Sequence, residues 1–141
     1  MQVRILGLDL GDKTIGVAVS DALGYTAQGL KVIRRQNLAK DLKELNKIID
    51  DYQIGKIVVG LPRNMDGSMG PQAKKVYRFI ELLREEFGLP TISLDERLTT
   101  KAAEAILLEA DLSRAKRKRV IDKLAASILL QSYLDSIRAR K

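Results

Sequence analysis

Three acidic positions carry the chemistry that this chain could perform. Asp9 stands in LGLDLGDKTIGVAVSD (residues 6–21), between Leu8 and Leu10 in an otherwise apolar run. A carboxylate buried there costs several kcal/mol unless something pairs or coordinates it. Asp95 and Glu96 open the stretch DERLTT, just beyond the short apolar run TISL. Asp122 lies in KRVIDKLAASILL, with Ala125, Ala126 and Leu129 at i+3, i+4 and i+7. On a helix these share one face, and small alanines let that face approach a neighbour closely. Each acid also has a purely structural explanation. Asp9 could accept from turn amides near Gly11 and Asp12, Asp95 and Glu96 could separate a strand from a helix with Arg97 as ion-pair partner, and Asp122 could answer a helix dipole. Together, three acids at the ends of apolar elements would converge at one edge of a sheet. Packed carboxylates repel unless a cation holds them. One or two Mg²⁺ or Mn²⁺ ions there would activate water and stabilise the leaving oxygen of an in-line phosphoryl displacement.

Composition narrows the alternatives. The 141 residues contain neither Cys nor His, which excludes thiolate and imidazole catalysis, zinc–sulfur sites and a disulfide framework. A hard cation bound by oxygen suits such a chain. Lys and Arg number 25 against 18 Asp and Glu, a net charge of +7, which favours a polyanionic partner, nucleic acid before membrane surface. Neither a membrane-spanning run nor a signal peptide is legible, so a soluble cytoplasmic protein is expected.

Two further stretches suit a nucleic acid. The loop GLPRNMDGSMGPQA (residues 60–73) has three glycines with Arg63, Asn64 and Ser68, and could bring backbone amides close to a phosphodiester or base. It lacks the GK[ST] ending of a nucleotide-binding P-loop; an ordinary long turn is the plainer explanation. Arg114, Lys116, Arg117, Lys118 and Arg119 precede Asp122, placing cations at a helix start, where the dipole disfavours them. A phosphate backbone would relieve that repulsion beside the acids. Arg34, Arg35, Arg138, Arg140 and Lys141 could extend this footprint.

The elements that must position these groups follow from periodicity. Val3–Leu10 and Thr14–Ser20 predict a hairpin through Gly11, Asp12 and Lys13, with a third strand over Leu30–Arg34. Asn37 caps a helix bearing Leu38, Leu42, Leu45, Ile49 and Tyr52. Lys56–Gly60 reads as a buried strand. Pro71 opens a second helix, striped by Ala73, Val76, Ile80, Leu83 and Phe87 and ended by Gly88. A strand over Thr91–Leu94 and helices over 99–110 and 115–137 complete the order βββαβαβαα. This predicts one α/β domain over residues 1–141: a mixed five-strand sheet with helices on both faces, of ribonuclease-H-like topology. Strand alternation puts Ile92, Leu94 and Glu96 on one face and Ser93 and Asp95 on the other, without saying which acid points toward the site.

The four blocks LGLDLGDKTIGVAVSD, VGLPRNMDGSMGPQA, DERLTT and KRVIDKLAASILLQSYL resemble, in order, those of the YqgF (RuvX) family. Its members are Holliday-junction-resolvase-like proteins, also described as pre-16S ribosomal RNA nucleases. The resemblance implies a ribonuclease-H-like fold and a Mg²⁺- or Mn²⁺-dependent hydrolase that trims the 5′ end of precursor 16S rRNA. It implies Asp9, Glu96 and Asp122 as catalytic and metal-binding acids, with Asp95 as the rival to Glu96. Resolvases of this fold use four acids, and a fourth is not placed here. Branched DNA is the alternative substrate, and a non-catalytic RNA-binding protein of ribosome assembly is the alternative role. LGLDLGDKTIG also resembles the first phosphate-binding turn of actin-like ATPases, but those bind ATP between two such domains.

Overall fold

The computed structural model describes residues 4–62, 64, 66–95 and 114–139, with side chains in the last segment from 124 to 138. Five strands form one sheet in the order β3-β2-β1-β4-β5. They are β1 (Arg4–Leu10), β2 (Thr14–Ser20), β3 (Ala27–Arg34), β4 (Ile54–Leu61) and β5 (Thr91–Asp95). β1 pairs antiparallel with β2 and parallel with β4, so the sheet is mixed about its central strand. β2–β3 is antiparallel and β4–β5 parallel.

Three helices are described: α1 (Leu38–Tyr52), α2 (Pro71–Phe87) and α3 (Arg114–Ala139). Asn37 caps α1, its side chain accepting from the Lys40 amide at 2.9 Å. Pro71 begins α2 and Gly88, at φ +64°, ends it, the backbone geometries for which those two residues are suited. The helix expected over 99–110 lies outside the described residues.

Alternation in β1 separates two apolar layers. Leu6, Leu8 and Leu10 point with Ile57, Val59 and Leu61 into the larger cluster, closed by Leu45 and Ile49 of α1 and Val76, Ile80 and Leu83 of α2. Ile5 and Val58 face the other way, against Ala126, Leu130, Tyr133 and Leu134 of α3. Helices therefore cover both faces, as expected. In detail, β3 begins at Ala27 and β4 at Ile54, each earlier than the apolar runs suggested, because ladder bonds to β2 and β1 extend them. Leu38, expected in the α1 stripe, is 46 % exposed, and Ile48 is buried instead.

The direction of α3 matters for the site. Its C-terminal part lies over the starts of β1 and β4, where Lys56 Nζ donates to the Tyr133 hydroxyl and sits 5.0 Å from that ring's centroid. Ala126 and Leu130 cross β1 at Gly7. The helix therefore runs antiparallel to β1, and its N-terminal turns approach the end of β1 that carries Asp9.

Candidate active site

Asp9 is the penultimate residue of β1 and lies on the α3 face of the sheet, in step with Ile5 and Gly7. It is half-buried, where the flanking leucines suggested full burial. Register supplies the reason. Asp9 pairs with Gly16 of β2, and the β1–β4 register, continued one residue past Leu8–Val59, sets Gly60 on its other side. Leu94 follows next to Gly60. Neither lateral neighbour carries a Cβ, so the strands on either side of Asp9 place no side chain against its carboxylate. Leu8 and Leu10 are apolar neighbours in sequence only, since they point through the opposite face.

The turn behind Asp9 is braced from the far side. The Gly11 amide donates to the Thr14 carbonyl at 2.8 Å, so it is committed within the turn. Arg35 Nη1 donates to the Gly11 carbonyl at 2.8 Å, and the Arg35 amide donates to the Lys13 carbonyl at 2.8 Å. Arg35 Nε is 3.5 Å from Oδ2 of Asp41, and its guanidinium lies 5.8 Å from the centroid of the Phe79 ring. Asp41, only 3 % exposed, also accepts from the Gln36 amide at 3.1 Å. Sequence reasoning missed Asp41. Its place in the first turn of a helix beginning at an Asn cap was the available signal, but the partner, Arg35, is fixed only by the tertiary fold. Replacing Asp41 with alanine should leave the Arg35 cation and the Gln36 amide without this acceptor, lowering unfolding free energy by about 2 kcal/mol. A urea titration checks this; an unchanged midpoint would show that the brace contributes nothing.

The remaining acids fall as follows. Asp95 ends β5 opposite Leu61, which places it with Leu61 and Ser93 on the sheet face away from Asp9. Glu96 lies outside the described residues. Asp122 belongs to α3, one helical turn before Ala126. The helix face marked by Ala125, Ala126 and Leu129, on which Asp122 falls by spacing, is the buried one. Among the described residues, no group of three acids is arranged to hold a metal ion; Asp9 is the one member of the expected triad whose side chain is described.

Asn64, although exposed, bonds within its own loop. Its amide donates to the Ser68 carbonyl at 3.0 Å, its Nδ2 to Ser68 Oγ at 3.1 Å, and its carbonyl accepts from the Gly67 amide at 2.8 Å. Asp66 accepts from the Ser68 amide at 2.9 Å and the Ser68 hydroxyl at 2.6 Å. A Cβ at Gly70 would come within 3.3 Å of the Asn64 side chain. The loop leaves β4 at the same sheet edge as Asp9. Arg63 lies outside the described residues. The backbone of Arg114, Lys116, Arg117, Lys118 and Arg119 forms the first turns of α3, at that same edge. Arg138 does not extend this footprint. It is at the other end of α3, where it bonds Asp135 and covers the Tyr25 ring. Arg140 and Lys141 lie outside the described residues.

The order of strands and the helices on both faces define a ribonuclease-H-like fold. In solved structures it is matched by Thermus thermophilus RuvC bound to a Holliday junction, with a TM-score of 0.60 at 15 % identity over 97 % of this chain and 96 % of that one. Fowlpox virus resolvase with junction DNA gives 0.56 at 16 % identity, over 96 % and 99 %. The sequence profile of the RuvX family, described as Holliday junction resolvase, matches residues 3–136, and the chain belongs to that family. A Desulforamulus reducens protein named "Putative pre-16S rRNA nuclease" is 58 % identical over 134 residues, covering 95 % of this chain and 98 % of the relative.

Proposed function

We propose that this protein is a divalent-metal-dependent nuclease that processes the 5′ end of precursor 16S rRNA, work that belongs to the cytoplasm. The observation that carries the reading is Asp9, half-buried at the end of the central strand between two glycines and approached by the N-terminal turns of α3. Membership of the RuvX family and the name of the D. reducens relative support the choice of substrate. Cleavage of branched DNA is the second reading, favoured by the family's description as a junction resolvase.

The donors proposed for the site are Asp9, Glu96 and Asp122, all carboxylate oxygens, and the strand neighbours of Asp9, Gly16 and Gly60, carry no side chain that competes for its carboxylate. This set fits Mg²⁺ or Mn²⁺ and offers no soft ligand. Two observations support Glu96 over Asp95. Asp95 lies on the face away from Asp9, while Ile92 and Leu94 pack toward α3, the face that the sequence alternation expected Glu96 to share. When bound, the cation would supply water activation and neutralise charge at the scissile phosphate. The chain itself fixes where that chemistry occurs. β1 and the Arg35 brace hold Asp9 in place, α3 brings Asp122 to the same edge, and Arg114, Lys116, Arg117, Lys118 and Arg119 attract the phosphate backbone. The loop held together by Asn64 and Ser68 leaves β4 at the same edge, and Arg63 is proposed as a further phosphate contact.

Metal removal tests this reading. With EDTA, cleavage of a precursor 16S rRNA fragment should fall to background and return on adding excess Mg²⁺, while RNA binding persists. Binding without cleavage under every metal condition would favour an RNA-binding role in ribosome assembly.

A further inference from the structure

A second cleft opens at the same sheet edge as Asp9, on the face covered by α1 and α2. It has a volume of about 300 Å³ and is lined by Leu10, Asp12, Arg35, Gln72, Lys75 and Arg78, with Phe79 forming part of its apolar wall. Its charge is unbalanced. The Arg35 cation is answered by Asp41, whereas Lys75 and Arg78, both exposed on α2, have no ion-pair partner among the described residues. Among the described residues, Asp12 is the only acid in the lining. Successive cations at i and i+3 project from one side of a helix, so both reach the same opening.

We infer that this cleft is a second backbone subsite, in which Lys75 and Arg78 hold a phosphate neighbouring the scissile one on the same nucleic-acid strand. The inference rests on the nuclease reading of Asp9 for its register, since Leu10 and Asp12 put the cleft within about 10 Å of Asp9 along the chain. A strand reaching both places must cross the end of β1 from the α3 face to the α2 face. The apolar wall suits a sugar, Gln72 can donate to a phosphate or base, and the two free cations supply sequence-independent attraction. Ribose and deoxyribose backbones share this chemistry, so the experiment carries an RNA arm and a DNA arm.

Binding of a precursor 16S rRNA fragment and of a four-way DNA junction is measured in EDTA from 50 to 300 mM salt. The proteins are wild type, Lys75→Gln/Arg78→Gln, the charge-preserving Lys75→Arg/Arg78→Lys, and Lys43→Gln/Lys47→Gln as a change of equal charge elsewhere. The first variant should bind about tenfold more weakly at low salt, with a log–log salt slope reduced by about 2. The charge-preserving variant should bind as wild type, and the α1 variant should keep most of the wild-type slope. Whichever arm shows the loss identifies the nucleic acid that the cleft holds. Unchanged affinity and slope in both arms, an equal loss in the α1 variant, or no binding by wild type would overturn the inference. If wild type never cleaves yet the cleft variant loses binding, the nuclease reading fails and the subsite stands.

Discussion

Asp9→Asn is expected to lower single-turnover cleavage of precursor rRNA by about 10²–10³-fold, the scale on which one electrostatic catalytic contact acts. Asparagine has the same shape and keeps the half-buried position between Gly16 and Gly60. It removes only the negative charge on which the proposed metal site depends. The turn that follows is secured independently, by Gly11 bonding Thr14 and by Arg35 bonding the Gly11 carbonyl. The fold should therefore survive, with a melting midpoint within about 3 °C of wild type. RNA affinity in EDTA should also be retained, because binding is proposed to rest on the basic residues. A large drop in melting midpoint would instead make Asp9 a structural carboxylate.

Gly7→Ala is expected to be the most damaging small substitution in the sheet. A Cβ at Gly7 would sit 2.9 Å from the Leu130 Cβ and 3.4 Å from the Ala126 carbonyl oxygen. Neither is the movable tip of a long side chain, so α3 must shift away from β1. Overpacking of this kind typically costs about 1–3 kcal/mol, which lowers the melting midpoint by roughly 3–10 °C in a domain of this size. The shift also displaces Asp122 relative to Asp9, because α3 carries one and β1 the other. Cleavage should then fall at temperatures where the variant is still folded. Thermal denaturation and a cleavage assay at 25 °C separate the two effects. Wild-type values in both would mean that the close approach of α3 to β1 is not needed.

Much of this architecture was legible because it is written in local pattern. Alternation in RILGLDL and TIGVAVS, the Asn37 cap, and the Pro71 and Gly88 helix limits each depend on a few adjacent residues. The strand parity of Ile92, Leu94 and Glu96 was equally local. What parity lacked was the identity of the covering layer: Ile92 and Leu94 pack toward α3, while Glu96 lies outside the described residues. The environment of Asp9 depended on register. Gly16 and Gly60 lie 7 and 51 residues away, and only strand pairing reveals that they flank it. The Arg35–Asp41 brace was hidden for a similar reason: Arg35 looked like one more surface cation until the fold brought Gly11 and Asp41 to it. Arg138 shows the converse error. The basic C-terminus suggested a continuous footprint, but a helix antiparallel to β1 carries its last turn to the opposite edge of the sheet.

Asp9, Glu96 and Asp122 are proposed to act together at one edge of the sheet. Single-turnover cleavage of a precursor 16S rRNA fragment in Mg²⁺ should be measured for Asp9→Asn, Glu96→Gln, Asp122→Asn and Asp95→Asn. The first three should each fall by about 10²-fold or more, while Asp95→Asn, altered on the far face, stays within a few-fold of wild type. Cleavage by Asp9→Asn at the wild-type rate would contradict the account.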